Sequence, residues 1–278
     1  MPKRAGSFLL QQVQTGLAYL QAPLFLNTGR IDHAFSTRLG GVSTGNLASL
    51  NTAFHVGDSD ENVLKNRHTF FDQFQYDYRI LVSSTQVHGT DIAVFDKKNR
   101  GEGAYPAGKR KRCDALVTTT PGLPLSAYSA DCQLIYFACL DHKPLVAIAH
   151  AGWKGTLGDI GGKVINFLKE RFSIRPEKLF AGLGPVICRS CYRVGSDVAE
   201  KFEEAGWSKK PYLESSQASV YNLDLNAINV VQLRRAGVKE HNIAMNEWCT
   251  SCSPELFYSY RRDKGSTGRM IGFIALSG

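Results

Sequence analysis

The stretch LVAIAHAGWKGT, residues 145–156, passes from an apolar run through a histidine and a glycine turn toward a segment with helical spacing. Taken alone it is a buried strand that stops at His150, followed at once by Gly152 and Gly155. Helical periodicity begins beyond it: Leu157, Ile160, Val164, Phe167, Leu168 and Arg171 or Phe172 recur at i, i+3, i+4 and i+7. The question this stretch raises is why a polar, metal-competent residue stands where an apolar strand ends.

Working outward, strand-like segments cover 31–37, 79–87, 91–96, 114–120, 123–130, 133–140 and 144–150, each short and bounded by Gly, Pro, Asp or Asn. Connections such as TTTPGLPL and CLDHKPLV are far shorter than the dozen residues a parallel crossover needs, so antiparallel pairing is expected. Two further helices are expected: 196–206, with Ser196 as N-cap and Gly206 as stop, and 224–237, with Asp224 and Gly237 in those roles. Strands followed by fewer, later helices give the fold class α+β. No fixed-period repeat or low-complexity linker divides the chain, so 1–278 is read as one domain, with 1–29 an N-terminal extension of unassigned role.

At 278 residues and 43% apolar content the chain can bury a sizeable core. No run approaches the roughly 20 apolar residues that span a bilayer, and Gln11, Gln12 and Gln14 interrupt the apolar stretch a signal peptide needs. Cytoplasmic residence without a membrane partner is the expectation. Lys and Arg number 33 against 25 Asp and Glu, a net charge of +8 that favours anionic partners such as phosphate, nucleotides or nucleic acid. The seven cysteines do not form the even set of a secreted disulfide framework and suit a reducing compartment. Cys139, inside LIYFACL, reads as core.

Three metal-competent residues follow apolar strands: His88 in LVSSTQVHG, Cys132 in LSAYSADC and His150 in LVAIAHAGW. Two imidazoles and a thiolate are a ligand set of the catalytic zinc type, with a fourth tetrahedral position open to water or substrate. The same residues also fit a Cys132 nucleophile activated by His88 or His150, or two strand-capping histidines beside a small core cysteine. Local pattern does not separate these. Asp114 and Asp131 could orient a ligating histidine through its second nitrogen or simply end their strands.

Two positions suit anion binding. Arg38, in HAFSTRLGGVS, carries the planar fork that recognises phosphate or carboxylate, and Lys154 stands at the helix start after His150. Each also reads as an ordinary surface cation. CRSC (188–191) and CTSC (249–252) are two Cys-x-x-Cys pairs, the signature of a four-thiolate zinc, but residues 191 and 249 are 58 positions apart (249 − 191). Cys188, Cys191, Cys249 and Cys252 are therefore a second metal site, pairs of close thiols, or unlinked thiols. The KRKR run at 109–112 fits a solvated loop or a nucleic-acid patch.

Taken together and in order, HAFSTRLGGVS, QVHG, DALVT, SADC, HAGWKGT, GPVICRSCYRVG and FYSYRRDKGSTGRM closely resemble the laccase-domain family, also described as multicopper polyphenol oxidases and bacterial purine nucleoside phosphorylases. The resemblance covers roughly residues 30–275. It implies a single domain of mixed sheets in an α/β/β/α-like sandwich and zinc on His88, Cys132 and His150. It also implies phosphorolysis of adenosine, inosine and 5′-methylthioadenosine, with adenosine deamination at the same site.

Rival readings follow from the same family and from the charge. Some members are described as copper-dependent phenol oxidases, but multicopper oxidation needs more histidines than the seven here. Others are described as peptidoglycan editing factors, which with Cys132 suggests a cysteine hydrolase. A basic zinc-containing nucleic-acid binder would use the +8 charge and the KRKR run, and its binding would weaken steeply with salt. The preferred expectation is a monomeric enzyme of purine nucleosides and phosphate, with no nucleic-acid partner.

Overall fold

A computed structural model describes residues 7–278 except 109, 209, 210 and 218. Among the described residues fifteen strands form three sheets. In chain order they are Leu9–Gln12 (β1), Ala18–Gln21 (β2), Ile31–Ser36 (β3), Val82–Ser83 (β4), Ile92–Val94 (β5), Ala115–Thr118 (β6), Leu125–Ser129 (β7), Gln133–Cys139 (β8), Leu145–Ala151 (β9), Phe180–Leu183 (β10), Arg193–Gly195 (β11), Leu213–Gln217 (β12), Val220–Leu223 (β13), Ile243–Ala244 (β14) and Met270–Leu276 (β15). The first sheet runs β1-β2-β3-β15-β7-β4, the second β14-β10-β8-β9-β6-β5, and a small third β11-β13-β12. The helices are Pro23–Leu26 (α1), Asp60–Asp72 (α2), Trp153–Leu157 (α3), Ile160–Phe172 (α4), Ser196–Glu204 (α5) and Leu225–Arg235 (α6).

The strand sequences explain the layering. Along β8, Leu134, Tyr136 and Ala138 enter the core between the two large sheets, while Ile135, Phe137 and Cys139 point the other way, into the core beneath α4 and α6. Both faces are covered, so the strand reads as a continuous apolar run. On the first sheet Met270 and Ile274 of β15 face the second sheet, whereas Ile271 and Phe273 meet Phe70 and Phe71 of α2. The order is therefore helix, sheet, sheet, helix, as the resemblance implies. Each fully buried aliphatic or aromatic side chain contributes about 1.5–3 kcal/mol relative to exposure, and all seven residues of β8 and of β9 are buried.

Pairing is mixed. The β8–β9 hairpin is antiparallel over seven residue pairs, as CLDHKPLV suggests. β4–β7, β5–β6 and β10–β14 are parallel. TTTPGLPL does not join neighbours: β6 lies in the second sheet and β7 in the first. Since all residues of both strands are buried, alternation along them could not say which sheet they join. Residues 7–29 are built into the fold, β1 and β2 extending the first sheet and Phe8 and Phe25 filling the central core.

The helix expected after residue 155 is broken in two. Asp159 takes a left-handed conformation (φ 54°) and its side chain caps α4 through the Gly162 N–H, separating α3 from α4. Asp224 caps α6 as expected, accepting from the Ala227 N–H at 2.9 Å. For α5 the cap position is Gly195, one residue before Ser196. No helix among the described residues is long and apolar enough to cross a membrane.

Candidate metal centre and active-site cavity

The chain passes from the first sheet to the second between β4 and β5 and again between β7 and β8. His88 lies on the former crossing, Cys132 on the latter, and His150 near the end of β9, paired with Leu134. One imidazole nitrogen from each histidine and Cys132 Sγ all fall within 4.8 Å of one another. The two imidazoles meet edge to face, with centroids 4.7 Å apart. The structure thus brings together the three strand-end residues singled out above.

Both crossings turn through sparsely populated backbone, φ 58° at His88 and 96° at Asp131. For residues other than glycine this costs on the order of 1–3 kcal/mol each and persists only where neighbours hold it. Asp114, fully buried, holds the first turn: Oδ1 accepts from the His88 N–H (3.0 Å) and Oδ2 from Val87 (3.1 Å) and Gly89 (2.7 Å). Oδ1 also contacts His150 Nδ1 at 2.9 Å, which leaves Nε2 as the nitrogen free to ligate. Asp131 does not orient a histidine. It holds the second turn, Oδ1 on Thr250 Oγ1 (2.6 Å) and Oδ2 on the Arg261 N–H (2.7 Å), while its carbonyl accepts from Ile187 at 3.1 Å.

The electrostatics favour an ionised thiol. Burial pushes the Cys132 thiol up, but the His150 charge and hydrogen bonds from both imidazoles outweigh it and bring the pKa down to about 6. Burial drives His150 down; Cys132 and the Asp114 carboxylate overcome it and raise it to about 9. Asp114 itself, despite burial, is held below the usual carboxylate range by His150 and the backbone N–H groups. A thiolate and two imidazoles suit a borderline-soft ion such as Zn²⁺. Gly152 completes the cradle: a Cβ there would stand 2.9 Å from Cys132 Sγ and 3.0 Å from His88 Cδ2.

The three residues line a cavity of about 650 Å³, within the range of small-molecule sites. Phe54, Tyr128, Trp153, Tyr192 and Tyr260 supply aromatic wall, and Arg67, Arg110, Arg261 and Arg269 supply positive charge. Arg67 is only 1% exposed, yet its hydrogen-bond partners are the carbonyls of Thr52, Gly103 and Ala104 and the phenol of Tyr128, none of which is anionic. His55, also on the wall, is held below the ordinary histidine value by burial and then by the charges of Arg269, Arg110 and Arg67. A larger groove, about 890 Å³, runs along the outside of α2 without a converging set of ligands or nucleophiles.

Other sequence-singled residues fall elsewhere. Arg38 donates to the carbonyls of Ala48 (2.8 Å) and Pro254 (3.2 Å) and lies over the Tyr258 ring, outside the cavity lining. Lys154 sits on the five-residue α3 with its ammonium 5.5 Å from the centre of the Trp153 ring, also outside the lining. Within KRKR, Lys109 lies outside the described residues, Arg110 lines the cavity, and Lys111 binds the Val94 carbonyl at 2.9 Å. The four cysteines of the two Cys-x-x-Cys pairs do converge, all within 4.8 Å. The reading from single residues missed Tyr260, Arg261 and Arg269; the FYSYRRDKGSTGRM motif was the signal that held them.

The fold and this site place the chain among known proteins. It belongs to the family described as multi-copper polyphenol oxidoreductase laccase, whose model matches residues 32–277. It is 38% identical over 269 residues to the purine nucleoside phosphorylase YlmD of Geobacillus stearothermophilus, covering 96% of each chain. It is also 33% identical over 239 residues to the adenosine deaminase RL5 of an unknown prokaryotic organism, covering 85% of this chain and 90% of that one. The crystal structure of YlmD from Geobacillus stearothermophilus superposes with a TM-score of 0.90 at 36% identity, covering 98% of this chain and 100% of the other.

Proposed function

We propose that the chain is a cytoplasmic, monomeric purine nucleoside phosphorylase acting on adenosine, inosine and 5′-methylthioadenosine, which also deaminates adenosine in the same cavity, with Zn²⁺ held by His88, Cys132 and His150. The observation that carries the reading is the convergence of those three residues on the wall of a cavity that is aromatic and cationic but holds few acidic groups. The names of the similar proteins, a purine nucleoside phosphorylase and an adenosine deaminase, support the substrate class.

Bound to this set, Zn²⁺ would supply Lewis-acid chemistry at an open fourth position. The protein's own groups do the rest. Asp114 fixes His150 with Nε2 toward the cavity. The aromatic walls offer faces on which a purine stacks. Phosphorolysis joins a phosphate oxygen to C1′ as the bond from C1′ to the purine nitrogen breaks, so phosphate must be held against the ribose. In this reading Arg269 and Arg110 hold it, next to the uncompensated charge of Arg67.

Two other readings each have one observation behind them. The family description favours copper phenol oxidation, although no methionine is found among the described residues lining the cavity. The depressed Cys132 pKa favours a thiolate nucleophile. The deciding experiment incubates wild type and His150→Ala with inosine and phosphate and measures hypoxanthine and ribose 1-phosphate. Product from wild type, lost on chelation and nearly absent from the variant, is expected. Equal product from both proteins removes the site assignment. Hypoxanthine released with free ribose instead of ribose 1-phosphate, in a reaction that survives chelation but not alkylation of Cys132, replaces the metal enzyme with a cysteine hydrolase.

A further inference from the structure

The two Cys-x-x-Cys pairs lie on separate loops, one after β10 and one after β14. A parallel bridge between Val186 and Cys249 joins the loops, with the Thr250 N–H donating to the Val186 carbonyl at 3.2 Å. That register brings Cys188 Sγ to 3.9 Å and Cys191 Sγ to 3.3 Å from Cys252 Sγ. A tetrahedral ion with Zn–S bonds of about 2.3 Å places its sulfurs about 3.8 Å apart, so the observed spacings bracket what a four-thiolate zinc requires. They are far from the roughly 2.05 Å of a disulfide, and the four thiols are free. The N–H groups of Cys188 and Cys252 both point at Cys249 Sγ, at 3.2 and 3.4 Å, as donors do toward a thiolate.

The loops so joined are those that seat the Cys132 turn. The first supplies the Ile187 N–H to the Asp131 carbonyl and Tyr192 to the cavity wall; the second supplies Thr250 Oγ1 to the Asp131 carboxylate. Arg262 also donates to the Thr250 carbonyl at 2.9 Å. The cluster thus grips the support of Asp131 from outside the cavity.

We propose that Cys188, Cys191, Cys249 and Cys252 bind one Zn²⁺ as a tetrathiolate, a second metal centre that locks together the two loops holding Asp131 and thereby positions Cys132. Binding converts four thiols to thiolates and releases their protons to solvent, with no redox change. The metal site stands apart from the identity of the substrate and is tested without it; the positioning role rests on the nucleoside phosphorylase reading and is read through that activity.

The full chain is produced with zinc, freed of loose metal, and its bound metal counted for wild type, His88→Ala/His150→Ala and Cys188→Ser/Cys252→Ser. The histidine variant should keep one tightly held zinc per chain. Replaced by Co²⁺, that ion should give the strong near-ultraviolet thiolate-to-metal absorption of four sulfurs, more than a single cysteine ligand can produce. The cysteine variant should lose this metal and this band, and should show a raised KM or lowered kcat while the triad still binds its own ion. A histidine variant that purifies metal-free and takes up Co²⁺ without the band overturns the site, and this arm decides even if the cysteine variant does not fold. A cysteine variant that loses the ion but keeps wild-type kcat and KM overturns the positioning role.

Discussion

Asp114→Asn isolates the element on which the triad geometry rests. The native carboxylate accepts four hydrogen bonds, two on each oxygen: His88 N–H and His150 Nδ1 on Oδ1, Val87 and Gly89 N–H on Oδ2. An amide presents one oxygen and one NH₂, so whichever way it turns, two acceptor contacts become donor facing donor. Hydrogen bonds to a charged group are worth about 1.5–3 kcal/mol each, which puts the loss at roughly 3–6 kcal/mol. Against a total stability of about 5–15 kcal/mol this is a large fraction. Loss of the partner that orients a ligating histidine lowers metal affinity roughly 10- to 100-fold, or about 1.4–2.7 kcal/mol. Urea unfolding of the metal-stripped protein reads the first number, and zinc titration against a competing chelator reads the second. A variant that unfolds at the wild-type urea concentration and holds zinc within threefold of wild type refutes the reasoning.

Gly152→Ala puts a methyl group against Cys132 Sγ and His88 Cδ2; overpacking of this kind costs about 1–3 kcal/mol, and zinc affinity measured by chelator competition should drop roughly 5- to 150-fold by the same energy. Arg269→Gln should impair phosphorolysis roughly 10- to 100-fold through phosphate binding, while deamination, which needs no phosphate, changes little; equal losses in both steady-state assays would place Arg269 elsewhere in the mechanism. In the metal-stripped protein, alkylation of Cys132 followed by peptide mass spectrometry should have its pH midpoint near 6 rather than 9. The depressed thiol contributes stability that is complete above pH 9 and lost as pH falls to about 6; the raised imidazole contributes stability that is complete below 6.5 and lost as pH rises to about 9. Between 6.5 and 9 the opposed slopes cancel, so this pair should give the metal-stripped protein no pH trend in urea unfolding over that window.

The triad was legible because each member follows an apolar strand-like stretch, where a polar side chain stands out, although burial already ends at Ser84, four residues before His88. Its companions were not. α2 went unread because Asn66 and Arg67, both buried, interrupt its apolar face, Arg67 reaching the cavity wall. The break before α4 was hidden because apolar spacing continues across Gly158 and Asp159, and only the left-handed backbone at Asp159 reveals it. Arg261 and Arg269 stand in a charged stretch that resembles any solvated loop until β15 and the Thr250 region fold around it. The two Cys-x-x-Cys pairs announced their chemistry but not their partnership, since the bridge between Val186 and Cys249 belongs to the tertiary structure.

His88 and Cys132 both ride on segments that leave one large sheet for the other, and His150 lies on the second. Until the two halves of the sandwich have closed on each other, the ligands are only scattered side chains without a shared grip. A partly unfolded molecule would therefore lack the proposed metal site, and any activity that depends on that site would report that the sandwich has closed.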